Sequence, residues 1–202
     1  MKKIVLSALL LLGCASASAT GLSIVDANAI TFNGYDGQPV TYTGARANGV
    51  TGEIWADTAG LLEAVYLGNE SGNVNRFRLQ VGNSLTESDS PGDSIFRNIG
   101  AGLINFRFID TEPFFDQAFI NGDTNKFVIM NGAIPGSVLA GNNYGPFDYI
   151  LGLNDTNRGD ADYDDFVVGL RFTPNAVPVP AALPLFATAL GLFGFGASRR
   201  RL

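Results

Sequence analysis

The sequence predicts an all-β protein built around a single β-sandwich of jelly-roll type. Three observations predict it. Several stretches alternate apolar and polar residues with period two, as half-buried strands do. Asn-Gly pairs recur at 33–34, 48–49, 121–122 and 131–132, and such pairs favour tight turns because both residues accept positive φ. No stretch sustains a helical apolar period, which argues against alternating strand and helix. The sandwich is assigned to residues 20–176, which are 157 residues and enough for one compact core.

Residues 1–19 have the three parts of a secretory signal peptide. Met1-Lys2-Lys3 is the positive start, residues 4–13 are apolar, and residues 14–19 are small, with two overlapping Ala-x-Ala matches. Ten apolar residues are too few to span a bilayer. Cleavage by signal peptidase is expected after Ala19, with Ala17 as the second choice. A lipidation box at residues 11–14, ending on Cys14, is the rival reading, and Leu12 fits it poorly.

In the body, Phe77, Leu79 and Val81 share one face of a strand over 76–81. Phe106 and Phe108 share a face over 105–108. Phe166, Val168, Leu170 and Phe172 point inward over 166–172. Further strands are expected at 29–32, 40–43, 53–56, 61–67, 117–120, 126–130 and 148–153. The stretch 61–67 also suits a short helix. Residues 118–120 and 126–128 flank five polar residues and predict a hairpin. Residues 86–93, with Pro91-Gly92, read as a loop. With no disulfide available, stability must come from packed Phe, Ile, Val and Leu.

Residues 154–165 carry the one constellation with chemistry. Asp155, Asp160, Asp162, Asp164 and Asp165 face a single cation, Arg158. Carboxylates about 4 Å apart repel by about 1 kcal/mol even in water. A hard cation removes that cost. Calcium takes six to eight oxygens from carboxylates, amides, carbonyls and water, and Asn157 adds an amide. Asp160, Asp162 and Asp164 alternate, so an extended chain would present them on one side. Gly159 permits a bend before them. The spacing is not that of an EF-hand: counting from Asp160, position six is Asp165 and position twelve is Arg171. The competing reading is a solvated acidic loop. Tyr163 reads as a core plug, not a ligand.

Residues 159–168, Gly-Asp-Ala-Asp-Tyr-Asp-Asp-Phe-Val-Val, resemble the Asp-rich turn before the last strand of a family of exported bacterial β-domains. The departure is Asp164, where Asn is common. The resemblance implies a calcium or structural site.

The chain then runs uncharged from Val177 to Ser198 and closes on Arg199-Arg200-Arg201-Leu202. Residues 181–198 just reach the length of a membrane helix, and the arginines should remain cytoplasmic. Pro178 and Pro180, the apolar stretch and the basic cluster resemble in order the PEP-CTERM sorting signal of Gram-negative bacteria. Val179 stands where that motif usually has Glu. The resemblance implies recognition and cleavage by an exosortase, then release or attachment at the cell surface. A permanent single-helix anchor is the alternative.

Composition excludes several functions. There is no histidine, and the only cysteine is Cys14. A Ser-His-Asp triad, a Cys-His pair, a His/Cys zinc site and internal disulfides are therefore ruled out. Residues 20–176 keep all 19 acids and eight of the 13 basic residues, a net charge of −11, which argues against nucleic acid as a partner. The expected function is non-catalytic: a calcium-stabilised, adhesive or structural protein of the cell surface or extracellular matrix. Its precursor would be anchored transiently in the inner membrane, and the processed protein would lie at the cell surface or outside the cell, with exopolysaccharide as the candidate partner in a biofilm. The alternative is a carbohydrate-active enzyme on the same fold, using acids such as Glu53, Asp57 and Glu63, with Trp55 to stack on a sugar.

Overall fold

The computed structural model describes residues 21–32, 47–71, 73–80, 82–111, 116–124, 126–132, 144, 146–155 and 162–176. Both terminal segments lie outside the described residues, and with them Ala19, Pro178, Pro180, Arg199, Arg200 and Arg201. The expected strand at 40–43 and Val81 also lie outside. Among the described residues no helix occurs, and hence none long and apolar enough to cross a membrane.

The described chain is all-β and antiparallel. One sheet holds β1 (Leu22–Phe32), β2 (Ala47–Ala56), β10 (Phe127–Asn131), β11 (Tyr149–Leu153), β12 (Phe166–Pro174), β3 (Gly60–Gly68) and β6 (Ser94–Ile99) in that spatial order. A short β7 (Gly102–Leu103) adds beside β2. The second sheet runs β5 (Ser84–Thr86), β4 (Val74–Leu79), β8 (Phe106–Thr111) and β9 (Asp116–Ile120).

The two sheets share one core. In the small sheet Phe77, Leu79, Phe106 and Phe108 point inward, while Arg76, Arg78 and Arg107 between them stay partly exposed. Their rings meet the large sheet directly. Phe106 lies 5.5 Å from Phe127, and Phe108 lies 5.8 Å from Phe127 and 6.4 Å from Phe166. Each such pair adds about 0.5–1.5 kcal/mol beyond its buried area. On β12, Phe166, Val168, Leu170 and Phe172 enter this core, as their alternation predicts.

The other face of the large sheet is apolar as well. Val65, Leu67, Val128, Met130, Ile150 and Val167 form a second cluster with Phe32 and Phe147. The central strands β10, β11 and β12 are thus buried on both faces, which explains their uninterrupted apolar runs. Phe147 lies flat on β12, where a Cβ on Gly169 would come within 2.5 Å of its ring. The Arg171 guanidinium covers that ring at 4.5 Å.

The expected strand at 61–67 is β3, and not the short helix that the stretch also suited, because Leu62 and Ala64 serve one core and Val65 and Leu67 the other. Three expectations are corrected. Asn48-Gly49 is not a turn but lies inside β2, paired with Thr31 and Ile30. Glycine is needed there because a Cβ would sit 2.3 Å from Val128 on the neighbouring strand. The expected hairpin over 118–128 does not form: β9 ends in the small sheet and β10 begins in the large one. Asn121 pins the crossing. Its Oδ1 accepts the Ile54 N–H (2.9 Å), and its Nδ2 donates to the Ile54 and Ile104 carbonyls (2.8 Å each). Finally, β5, β6 and β7 were not expected, and β1 begins seven residues before the predicted strand at 29–32.

Candidate metal centre

Strands β12 and β3 pair antiparallel, and at one end their ladder closes on Val167 opposite Gly68. The residues just beyond must therefore leave the sheet side by side. These are Glu70 after β3 and Asp162 and Asp164 before β12. The Glu70 N–H continues the pairing by donating to the Asp164 carbonyl (3.2 Å). One carboxylate oxygen from each of Glu70, Asp162 and Asp164 lies within 4.8 Å of the others.

The chain is not extended here, contrary to the expected alternation. Tyr163 adopts φ = 61°, in the left-handed region. Its ring packs edge-on against Phe32 at 5.0 Å, in the second apolar cluster. That agrees with its reading as a plug. The kink leaves Asp162 and Asp164 on either side of it, both buried.

Asp164 is 0% exposed, and neither of its carboxylate oxygens has a hydrogen-bond partner. Burial pushes its carboxyl up from the ordinary 3.8 to about 8, and the charges of Asp162, Glu70 and Asp165 push the same way. A buried carboxylate without donors is costly. A hard divalent cation supplies what the site lacks, so these residues fit calcium, which accepts dense carboxylate oxygen.

Asp155 and Asp165 act on the loop itself. The Asp155 N–H donates to Asp165 Oδ2 (2.7 Å), closing the loop between β11 and β12 at its base. Asp155 Oδ2 accepts from Ser71 Oγ and from Asn75 Nδ2 (3.2 Å). Of the six expected metal ligands, Asp162 and Asp164 converge, and Asp155 and Asp165 stand beside them as a clasp. Asn157 and Asp160 lie outside the described residues.

Glu70 was not expected, and nothing in its local sequence marks it; only the β3–β12 pairing brings it in. Asn75, Asp110 and Glu87 were also missed. Asn75 follows the inward phase of Phe77 and Leu79, and Asp110 that of Phe106 and Phe108. Polar residues at inward positions were a readable signal. Both are 0% exposed, and they face each other as Cα partners across β4 and β8. Glu87 accepts the Asn75 N–H (2.8 Å). Burial raises its carboxyl above the usual range, hydrogen bonds from Asn75 oppose this, and Asp155 and Asp110 add to it.

The acids considered for glycoside hydrolysis are each engaged. Glu63 pairs with Arg171 (2.9 Å), Asp57 accepts from Ser23 (2.8 Å), and Glu53 accepts from Trp55 Nε1 (2.9 Å). Trp55 itself is half-buried on the face of β2 away from Ile54 and the core. Comparison with protein-family models, with curated proteins and with solved structures finds no match for this chain.

Proposed function

We propose that the chain is an exported, non-catalytic β-sandwich of jelly-roll type, stiffened by calcium and delivered to the cell surface or extracellular matrix through an exosortase. Its role there is adhesive or structural, in contact with exopolysaccharide. The sandwich reading draws support from the shared core and from four connections that pass between the sheets: β3 to β4, β5 to β6, β7 to β8 and β9 to β10. The route rests on residues 1–19 and 177–202. The calcium reading rests on one observation: the Asp164 carboxylate is fully buried, without a donor on either oxygen, against Asp162 and Glu70.

Calcium would join the β3–β4 connection to the last strand, so the fold would tighten only outside the cell, where calcium is abundant. Sites of this kind bind at about 10⁻⁴–10⁻³ M. At a hundredfold excess over Kd the gain is about 2.7 kcal/mol, or about 5–10 °C for a domain of this size. Thermal melts of the full-length chain in calcium and in chelator test this. The rise should vanish in Asp162→Ala/Asp164→Ala. No shift at millimolar calcium overturns the metal reading. A tag placed after Leu202 tests the route: processing removes it, and its retention on surface protein overturns exosortase cleavage.

A further inference from the structure

We infer that the outward face of the small sheet binds an acidic polysaccharide, whose carboxylates are taken by Arg78 and Arg107. This rests on the reading that the protein meets exopolysaccharide, and names the chemistry and the place of that contact. Strand pairing sets Ser84, Arg78, Arg107 and Ile120 in one row across β5, β4, β8 and β9. Phe77, Leu79, Phe106 and Phe108, which flank the two arginines in sequence, face the core, so the row faces outward. Arg78 and Arg107 are direct cross-strand partners, both partly exposed. Like charges placed so, with Cβ atoms about 4.5–5.5 Å apart, repel. Among the described residues no carboxylate relieves them: the ion pairs are Arg76 with Asp116 and Arg171 with Glu63. Arg78 Nε donates to Ser84 Oγ (3.2 Å), which leaves the outer edge of its guanidinium for a ligand. Among the described residues no hydrogen bond holds the Arg107 guanidinium.

Charge points to the kind of partner. Residues 20–176 carry a net charge of −11, yet the outward positions of these four strands hold three of their eight basic residues, Arg76, Arg78 and Arg107, against one acid, Asp116. The acidic remainder repels a polyanion, so this face sets the orientation in which one lands. A guanidinium fork matches a carboxylate with two parallel hydrogen bonds. Neighbouring strands are about 4.8 Å apart, so the two forks lie side by side. The ends of the row suit sugar: Ser84 offers a hydroxyl, and exposed Ile120 offers an apolar rest for the C–H face of a ring. The competing occupant is an acidic protein surface, a second copy of this chain included.

Biolayer interferometry on immobilised hyaluronate, neutral dextran and polyglutamate separates these. Every arm uses the full-length chain carrying Arg199→Gln/Arg200→Gln/Arg201→Gln, so that the terminal cluster adds nothing. Hyaluronate should bind, dextran should not, and binding should weaken from about 0.05 to about 0.5 M NaCl. Arg78→Gln/Arg107→Gln should weaken it about tenfold or more with no fall in melting temperature, since the change removes a repulsion. Arg107→Gln alone, which breaks no hydrogen bond among the described residues, should act in the same direction if the double variant does not fold. Hyaluronate bound equally well by both arginine variants, or dextran bound as tightly, overturns this face and leaves the exopolysaccharide reading standing. Binding to neither glycan overturns both. Polyglutamate bound more tightly than hyaluronate overturns the glycan in favour of an acidic protein.

Discussion

Replacing Asp164 by Asn should stabilise the protein without calcium and remove its response to calcium. Most substitutions of a fully buried residue destabilise. Here the native carboxylate has no donor and faces Asp162 and Glu70. Its carboxyl is raised from 3.8 to about 8. At pH 7 the folded chain must therefore hold a proton that the unfolded chain has released. Each unit of that difference is worth about 1.4 kcal/mol, and water reaching the site through exposed Glu70 screens the repulsion, leaving about 2 kcal/mol. Asp164→Asn has nearly the same shape, carries no charge and adds two N–H donors toward the neighbouring carboxylates. In chelator at pH 7 it should melt about 4–8 °C above the wild type. In saturating calcium the order should invert, because the wild type gains about 2.7 kcal/mol at a hundredfold excess and the variant little. Differential scanning calorimetry reads both arms. A variant less stable than the wild type in chelator would refute the reasoning, as would an equal calcium response in the two proteins.

The same carboxylate sets a pH dependence. A raised folded pKa means that stability is fully present below about pH 4 and is lost as pH rises towards about 8. The stability difference between the wild type and Asp164→Asn in chelator should therefore grow across that window and flatten outside it, as urea titrations at several pH values would show. Asn121→Leu should cost about 2–4 kcal/mol, because it removes the side-chain partner of the Ile54 N–H and of the Ile104 carbonyl, while the Ile54 carbonyl keeps only the Ile104 N–H; a chemical denaturation midpoint unchanged from wild type would contradict the role given to that crossing. Phe108→Ala should cost about 3–5 kcal/mol, since Phe108 touches Phe77, Phe106, Phe127 and Phe166; a loss below 1 kcal/mol in the same assay would show that the sheets are not held by these rings.

Sequence pattern reached the strands whose two faces meet different surroundings. Arg76, Phe77, Arg78 and Leu79 alternate because one face of β4 meets the core and the other meets water. The pattern failed where that contrast fades. The edge strand β6 exposes Phe96 yet buries Ile95 and Ile99, so it shows no clean period. Asn48-Gly49 carries a turn signature, but the close approach of Val128 requires that glycine for a different reason. The 118–128 segment looked like a hairpin because local spacing cannot reveal that its two strands join different sheets; the bond from Asn121 to Ile54 spans 67 residues. The candidate centre divides in the same way. Asp162 and Asp164 stand out as a dense local run of carboxylates. Glu70 has no local mark and enters only through the pairing of β3 with β12. Asn75 and Asp110 were legible as polar residues at inward positions, but a sequence scan for acidic runs passes over isolated ones.

The most direct test of the calcium centre is a crystal structure grown in calcium, read by anomalous scattering. The account predicts a peak bridged by Glu70, Asp162 and Asp164, with oxygen distances of about 2.3–2.6 Å. Well-ordered density for these three side chains with no peak between them, and with their carboxyls sharing protons, would contradict it.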